Sequence, residues 1–304
     1  PPEAAGPFRS ARGARPDVRT SLPARFVETA CRHWNRPAVA DSTGKDLAFG
    51  ELLTAAVLLK DVLAGRVTTP CVGLLLPASA GAAIANLAAS LAGKIPVNLN
   101  FTASPDSIAS AARQCGISRI VTSRKFIEKT GIEVPGEALY LEDMAGFISK
   151  TKKIRAYAAL RLMPARMIIR RFNLDRIRPD DPATIIYSSG STGAPKGITL
   201  THANILSNVA ALSELFEQTS DECFLGVLPF FHSFGWTGTF WYPLLRGSRA
   251  VYHPNPMDTR TIGKLAKQYK ATFMVATPTF CRMYLRQIPA EAFSSLKYVL
   301  VGAE

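Results

Sequence analysis

Tyr187-Ser-Ser-Gly-Ser-Thr-Gly-Ala-Pro-Lys-Gly197 is the stretch at which the chain stops reading as generic α/β protein. The run Ala183-Thr-Ile-Ile186 before it has the β-branched, apolar composition of a buried strand. Gly190, Gly193 and Gly197 then alternate with Ser188, Ser189, Ser191, Thr192 and Lys196. Such a loop suits phosphate. Its glycines let backbone N–H groups close on an anion, the hydroxyls add donors, and Lys196 adds a mobile positive charge beside the conformationally restricted Pro195. It is not a Walker loop, because Pro195 stands where the second glycine belongs and Gly197, not Ser or Thr, follows Lys196. The spacing Gly190-Ser-Thr-Gly193 also fails the dinucleotide fingerprint. A plain Gly/Ser surface linker is the bland alternative, but linkers rarely set hydroxyl pairs, a proline and one lysine directly after a buried strand.

Beyond the loop, Ile198 to Leu200 reads as a returning strand and Thr201 as the N-cap of a helix running to about Phe216. Ile205, Val209, Leu212 and Phe216 share its buried face. A hairpin pinned to a helix leaves the loop tip free to move over a nucleotide. The second informative stretch is Leu228-Pro-Phe-Phe-His-Ser-Phe-Gly-Trp-Thr-Gly238, which follows a strand-like run from Phe224 and sets His232 among aromatics. An isolated histidine in such company is ordinarily a satisfied core residue.

Upstream, Phe49 to Ala64 is a helix closed by Gly65, Cys71 to Leu76 a strand, and Ser79 to Ala92 an alanine-rich helix. Ile95 to Leu99 (strand), Pro105 to Cys115 (helix) and Arg119 to Thr122 (strand) continue the alternation. This β-α-β-α-β order predicts parallel sheets with helices on their faces. Downstream, Asp258 caps a helix to about Tyr269 with an Ile262, Leu265, Tyr269 stripe. Thr272 to Ala276 is a buried strand, Thr277-Pro278 opens another helix, and Leu296 to Val301 is a strand ending in Gly302-Ala303-Glu304.

The 304 residues, 47% hydrophobic and 19% charged, describe a globular chain with material for a large core or two subdomains. No run is long enough for a transmembrane helix, and the Pro-, Arg- and Ala-rich start, which lacks an initiator Met, does not read as a secretory leader. A cytoplasmic location is expected. Residues 1 to about 20 read as a disordered basic segment. Five cysteines in scattered positions read as reduced thiols, and four dispersed histidines suggest no zinc site.

The net charge of +13 is concentrated. Lys150 to Arg178 holds ten Lys/Arg against Asp175 alone, a net +9, and the first 36 residues set seven arginines against three acids. Ile154 to Phe172 interleaves these charges with Ile, Leu, Met and Phe, with poor periodicity and an interruption at Pro164. Two readings stand side by side: a membrane-surface helix or contact for an acidic partner, and a solvated connector packed on the domain. No nucleic-acid motif accompanies the charge, so no nucleic-acid partner is expected.

The Tyr187–Gly197 stretch resembles the phosphate-binding signature of the adenylate-forming superfamily, which includes acyl-CoA synthetases, acyl-carrier-protein synthetases, luciferases and peptide-synthetase adenylation domains. The Phe231-His232 segment resembles that superfamily's aromatic-His motif. Phe-Phe-His-Ser-Phe-Gly235, Pro243-Leu-Leu-x-Gly247 and the basic connector before Asp180-Asp181-Pro182 look most like the acyl-carrier-protein synthetase arms of bifunctional lysophospholipid acyltransferases, with acyl-CoA ligases the runner-up.

The resemblance implies an α/β fold, the incomplete large N-terminal domain of an adenylate-forming enzyme, with mainly parallel sheets in two subdomains over residues 21–304. Within it, 150–178 form the connector and 183–304 the phosphate-loop and acyl-pocket half. It implies ATP and Mg²⁺ at Ser188, Ser189, Gly190, Ser191, Thr192, Gly193, Lys196 and Gly197, with Lys196, Thr192 and His232 catalytic. Thr192 would approach the Mg²⁺ carried by the phosphates. Gly302, Ala303 and Glu304 would lie against adenine. Phe231, His232, Gly235 and Trp236 would line the acyl pocket, with Trp236 a gate at the tunnel mouth. The segment Phe231–Ser233 lacks the aspartate with which amino-acid-activating relatives hold an ammonium, which favours a fatty acid or similar uncharged chain or ring.

The implied acceptor is coenzyme A or the phosphopantetheine of acyl-carrier protein. The superfamily's magnesium-binding acid, ribose aspartate and C-terminal lid with its catalytic lysine do not occur in these residues. A fragment of this kind is expected to be inactive alone and to expose a sheet edge. The alternative is a non-catalytic remnant or a nucleotide- or membrane-binding module.

Overall fold

The computed structural model describes residues 20–188, 195–216 and 220–302. Order is set early: Pro23 lies in the first turn of the helix Leu22–Arg32, whose Phe26, Val27 and Ala30 are fully buried. The expected disordered segment falls almost wholly outside the described residues.

Short apolar runs become strands, and the described strands form two sheets and a hairpin. The first sheet contains β1 (Pro37–Asp41), β2 (Asp46–Ala48), β9 (Cys223–Gly226), β10 (Arg249–Tyr252), β11 (Phe273–Ala276) and β12 (Tyr298–Val301), in the order β12-β11-β9-β10-β1-β2. All its pairs are parallel except the β1–β2 hairpin. The second sheet, β3 (Cys71–Leu74), β4 (Ile95–Asn98), β5 (Arg119–Thr122) and β6 (Glu137–Tyr140), is entirely parallel in the order β4-β3-β5-β6. The expectation of parallel sheets flanked by helices is met. β12 lies at the end of its sheet among the described strands, and Val299 and Val301 are exposed there.

The helices Phe49–Ala64 and Ala80–Leu91 fill the space between the two sheets, and one apolar cluster runs from Val72 and Val121 through them to Phe224 and Phe273. Alanine makes this possible: Ala80, Ala82, Ala83, Ala85, Ala88 and Ala89 are wholly buried, so backbones approach closely. The helix starts cleanly because Ser79 Oγ accepts from the Ala82 N–H at 3.1 Å. Its most deeply buried polar group, Asn86, is satisfied by reciprocal amide bonds with Asn98 at 3.1 and 2.9 Å.

The basic segment forms two helices, Lys150–Leu162 and Ala165–Arg171, broken at Pro164 as the sequence reading anticipated. Leu160, Ile168 and Ile169 are buried against the domain.

Candidate functional site

The phosphate-loop stretch sits on an antiparallel hairpin, β7 (Pro182–Ser188) and β8 (Lys196–Thr201). Ala183, Thr184 and Ile186 face inward, and the Thr184 hydroxyl donates to the Pro96 carbonyl at 2.7 Å, tying β7 to β4. Thr201 then caps the helix His202–Leu215: its hydroxyl accepts from the Asn204 N–H at 3.1 Å while Asn204 Oδ1 accepts from the Thr201 N–H at 3.0 Å. The hairpin is thus held at its base from both sides.

Gly197 pairs across the hairpin with Tyr187, and a Cβ there would lie 3.1 Å from the Tyr187 ring. Glycine therefore lets the tyrosine fold over its own hairpin. The Tyr187 hydroxyl donates to the Ala111 carbonyl at 3.1 Å, and Gln114 Nε2 donates to the Pro195 carbonyl at 3.2 Å, so the strand ends next to the loop lean on the helix Pro105–Gln114. Ser188 and Lys196 are cross-strand partners and both are exposed. Ser189, Gly190, Ser191, Thr192 and Gly193 lie outside the described residues, as do Ala303 and Glu304.

The five cysteines are not all isolated, as their spacing suggested. Cys71 on β3 interacts with Cys115 at the end of the Pro105–Gln114 helix, and Cys115 Sγ lies 3.0 Å from the Tyr187 hydroxyl. The Cys71 contact draws the Cys115 thiol pKa down, against the effect of burial. The same contact, with burial, pushes Cys71 up, and burial then the Cys115 contact push Tyr187 up. Tyr187, at the start of the glycine-rich loop, is therefore anchored beside a thiol pair that no sequence spacing announces.

The aromatic-His segment leaves the C-terminal end of β9, where parallel sheets of this kind collect their ligand-binding loops. The chain turns through Ser233–Gly235 into the π-helix Trp236–Trp241 and the helix Tyr242–Arg246. Gly235 is required by this turn, since a Cβ would stand 2.2 Å from the Pro229 carbonyl oxygen. The Thr239 hydroxyl donates to the Gly235 carbonyl at 2.7 Å, and the Tyr252 hydroxyl donates to the Thr239 carbonyl at 2.9 Å. These bonds occupy carbonyls that a π-turn leaves poorly served, and π-turns of this kind recur at functional sites.

Phe231 is buried, its ring edge-on to Phe101 at 4.9 Å, which couples the segment to the loop after β4. His232 reaches the surface beside it, yet partial withdrawal from water holds its pKa below the ordinary value. Trp236 does not open onto solvent. It is fully buried, stacked on Phe240 at 4.8 Å and edge-on to Phe230 and Trp241, so the tryptophan expected at a tunnel mouth is a core residue in this structure.

Gly302 follows β12 at the same sheet edge, its N–H donating to the Ala276 carbonyl at 3.3 Å. Among the described residues a Cβ at Gly302 would meet the Phe234 ring, at 3.7 Å. Phe234 thus joins the aromatic-His loop to the β12 end. It lies in the stretch the sequence reading singled out but was given no role there, and Phe101, remote in sequence, was missed altogether. A separate cavity of about 750 Å³, lined by residues such as Arg36, Glu222, Thr272 and Lys297, lies at the opposite edge, where the strands begin, away from these groups. Among the described residues no cluster of three His, Cys, Asp or Glu could hold a metal ion.

Parallel sheets, a glycine-rich hairpin and an aromatic-His loop at the strand ends define the large domain of an adenylate-forming α/β protein. The chain belongs to the AMP-binding enzyme family, whose model matches residues 26–304. It is 26% identical over 310 residues to a long-chain-fatty-acid–CoA ligase of Bacillus subtilis, covering 91% of this chain and 54% of the relative. It is 28% identical over 280 residues to a 4-coumarate–CoA ligase of Pinus taeda, covering 88% and 50%. The ATP-bound structure of MatB from Rhodopseudomonas palustris superposes with a TM-score of 0.69 at 22% identity, covering 94% of this chain and 55% of that one. The chain thus spans about half the length of the curated relatives it matches.

Proposed function

We propose that this chain carries the nucleotide and acid sites of an AMP-forming acid–thiol ligase. The observation that carries the reading is the meeting of the Phe231–Gly235 loop with Gly302 at one parallel-sheet edge, bridged by Phe234. Family membership and the ligase activity named for both relatives support it.

The acid enters already ionised at neutral pH, so no strong base is needed. Its carboxylate attacks the α-phosphorus of ATP, forming acyl-adenylate and releasing pyrophosphate. The protein's work is alignment and charge stabilisation. Lys196 and Ser188, at the two ends of the loop, together with the loop residues Ser189 to Gly193, hold the β- and γ-phosphates as they separate. Magnesium, when bound, neutralises phosphate charge, with Thr192 the candidate contact. Gly302, with Ala303 and Glu304, takes the adenine beside Phe234. His232, whose pKa partial burial holds below the ordinary value, faces the carboxylate as a hydrogen-bond donor. A thiol then takes the acyl group as a thioester.

The acid is uncharged beyond its carboxylate, because Phe231, His232 and Ser233 bring no anion to the pocket. A medium- or long-chain fatty acid is the reading, with acyl-carrier protein or coenzyme A as acceptor. The test is exchange of labelled pyrophosphate into ATP by the full-length protein, with fatty and hydroxycinnamic acids supplied separately. Exchange that requires a fatty acid supports the reading. ATP binding without exchange, whatever acid is offered, would leave a binding module instead.

A further inference from the structure

The helix Lys150–Leu162 has two apolar faces, and the domain covers only one of them. On the inner side Leu160 is buried, and Trp34 Nε1 donates to the Tyr157 hydroxyl at 2.8 Å with the two rings edge-on at 5.1 Å. The Arg161 guanidinium lies 5.7 Å over the Trp34 ring, on the boundary of that contact. On the outer side Ile154 is 70% exposed and Leu162 84% exposed. With exposed Ala158 between them they form an i, i+4, i+8 stripe spanning roughly 80° of the helix circumference. Lys150 and Arg161 flank the stripe on one side, Lys152 and Arg155 on the other, all exposed. The next helix adds Met167, 57% exposed, between exposed Arg166 and Arg170.

We propose that this outward face docks on an anionic phospholipid bilayer. The lysines and arginines lie against headgroup phosphates while Ile154, Leu162 and Met167 enter the boundary with the acyl chains. The net charge of +9 between Lys150 and Arg178 supplies the long-range attraction. An acidic protein or a nucleic acid would match the cations but leave three protruding aliphatic side chains without a solvent better than water; a bilayer serves both. The helix is already ordered by its Tyr157–Trp34 contact, so docking carries no folding cost. An apolar recess of about 550 Å³, lined by Leu58, Ile84, Leu141 and Tyr157 together with Ile154 and Ala158 themselves, extends the apolar strip inward.

The surface is independent of the catalytic reading and is tested separately, by flotation of the full chain with phosphatidylcholine vesicles and with vesicles that also contain phosphatidylglycerol. Binding is expected to the anionic vesicles at low salt and to fall at high salt. Arg155→Gln is expected to lower the partition coefficient about fivefold, the effect of one cation near such a surface. The pair Ile154→Ser and Leu162→Ser is expected to lower it as well, with unchanged circular dichroism, and Leu162→Trp to emit at shorter wavelength on anionic vesicles. Absence of flotation, or equal flotation on both vesicle types, overturns the proposal. So does tight binding to heparin or an acidic protein that is indifferent to the Ile154 and Leu162 changes. Pyrophosphate exchange is expected to be unaffected in these variants, so failure here leaves the ligase reading standing.

Discussion

Acid should loosen the seam between the glycine-rich hairpin and the N-terminal helix, and His202 sets the size of the effect. This residue follows β8 directly, is only 6% exposed, and its Nδ1 accepts from the Leu22 N–H at 3.2 Å. Beside it the Ser21 hydroxyl donates to the Leu174 carbonyl at 3.2 Å. Burial pushes the His202 pKa down to about 4 from an ordinary 6.5, against a weaker opposing pull from Asp181. Above pH 6.5 the imidazole is neutral whether the chain is folded or not, and stability does not depend on it. Between 6.5 and about 4 the unfolded chain takes up a proton that the folded one refuses, so stability drains away through that window and levels off below it. At 1.36 kcal/mol per tenfold change in acidity, the loss amounts to about 3 kcal/mol. Urea unfolding followed by tryptophan fluorescence at closely spaced pH values would measure it. His202→Gln keeps an acceptor for Leu22 but cannot titrate, so its stability curve should be flatter by that amount. Parallel curves for the two proteins would refute the assignment.

Lys196→Ala in the full-length enzyme should depress carboxylate-dependent pyrophosphate exchange about 10²- to 10³-fold, the usual effect of removing one transition-state charge partner, with unfolding midpoints unchanged because the side chain is exposed. Gly235→Ala forces a methyl group against the Pro229 carbonyl and should cost about 1–3 kcal/mol in urea unfolding, with acid activation falling in step. Trp236→Ala should destabilise by about 3–5 kcal/mol as a core deletion; a variant of unchanged stability that merely accepts longer chains would restore the gate role. Tyr187→Phe, which loses the bond to the Ala111 carbonyl and the contact with Cys115, should cost about 1 kcal/mol and raise hydrogen exchange in β7.

Much of the fold was legible because its signals are local. Arg119 to Thr122 is a strand as read, Ser79, Thr201, Asp258 and Thr277 all cap the helices predicted to start at them, and the hairpin after Ile186 forms as expected. The connector was harder, for a physical reason. Residues 150–162 bear apolar side chains on both a packed and an exposed face, so the two cancel and no single stripe emerges. Contacts between distant segments were illegible altogether: nothing near Phe101 announces Phe231, and nothing in the cysteine spacing places Cys71 beside Cys115 and Tyr187. Trp236 shows the limit of resemblance. Its motif position suggested a gate at a tunnel mouth, whereas packing with Phe230, Phe240 and Trp241 withdraws it from solvent.

Hydrogen exchange of the full-length protein with and without ATP and a fatty acid tests the central claim most directly. One nucleotide site built from the hairpin, the aromatic-His loop and the β12 end requires that peptides spanning 187–197, 228–236 and 300–304 gain protection together, with Lys196→Ala abolishing the gain at all three. Protection confined to another part of the molecule, such as the 750 Å³ cavity at the opposite sheet edge, would contradict it.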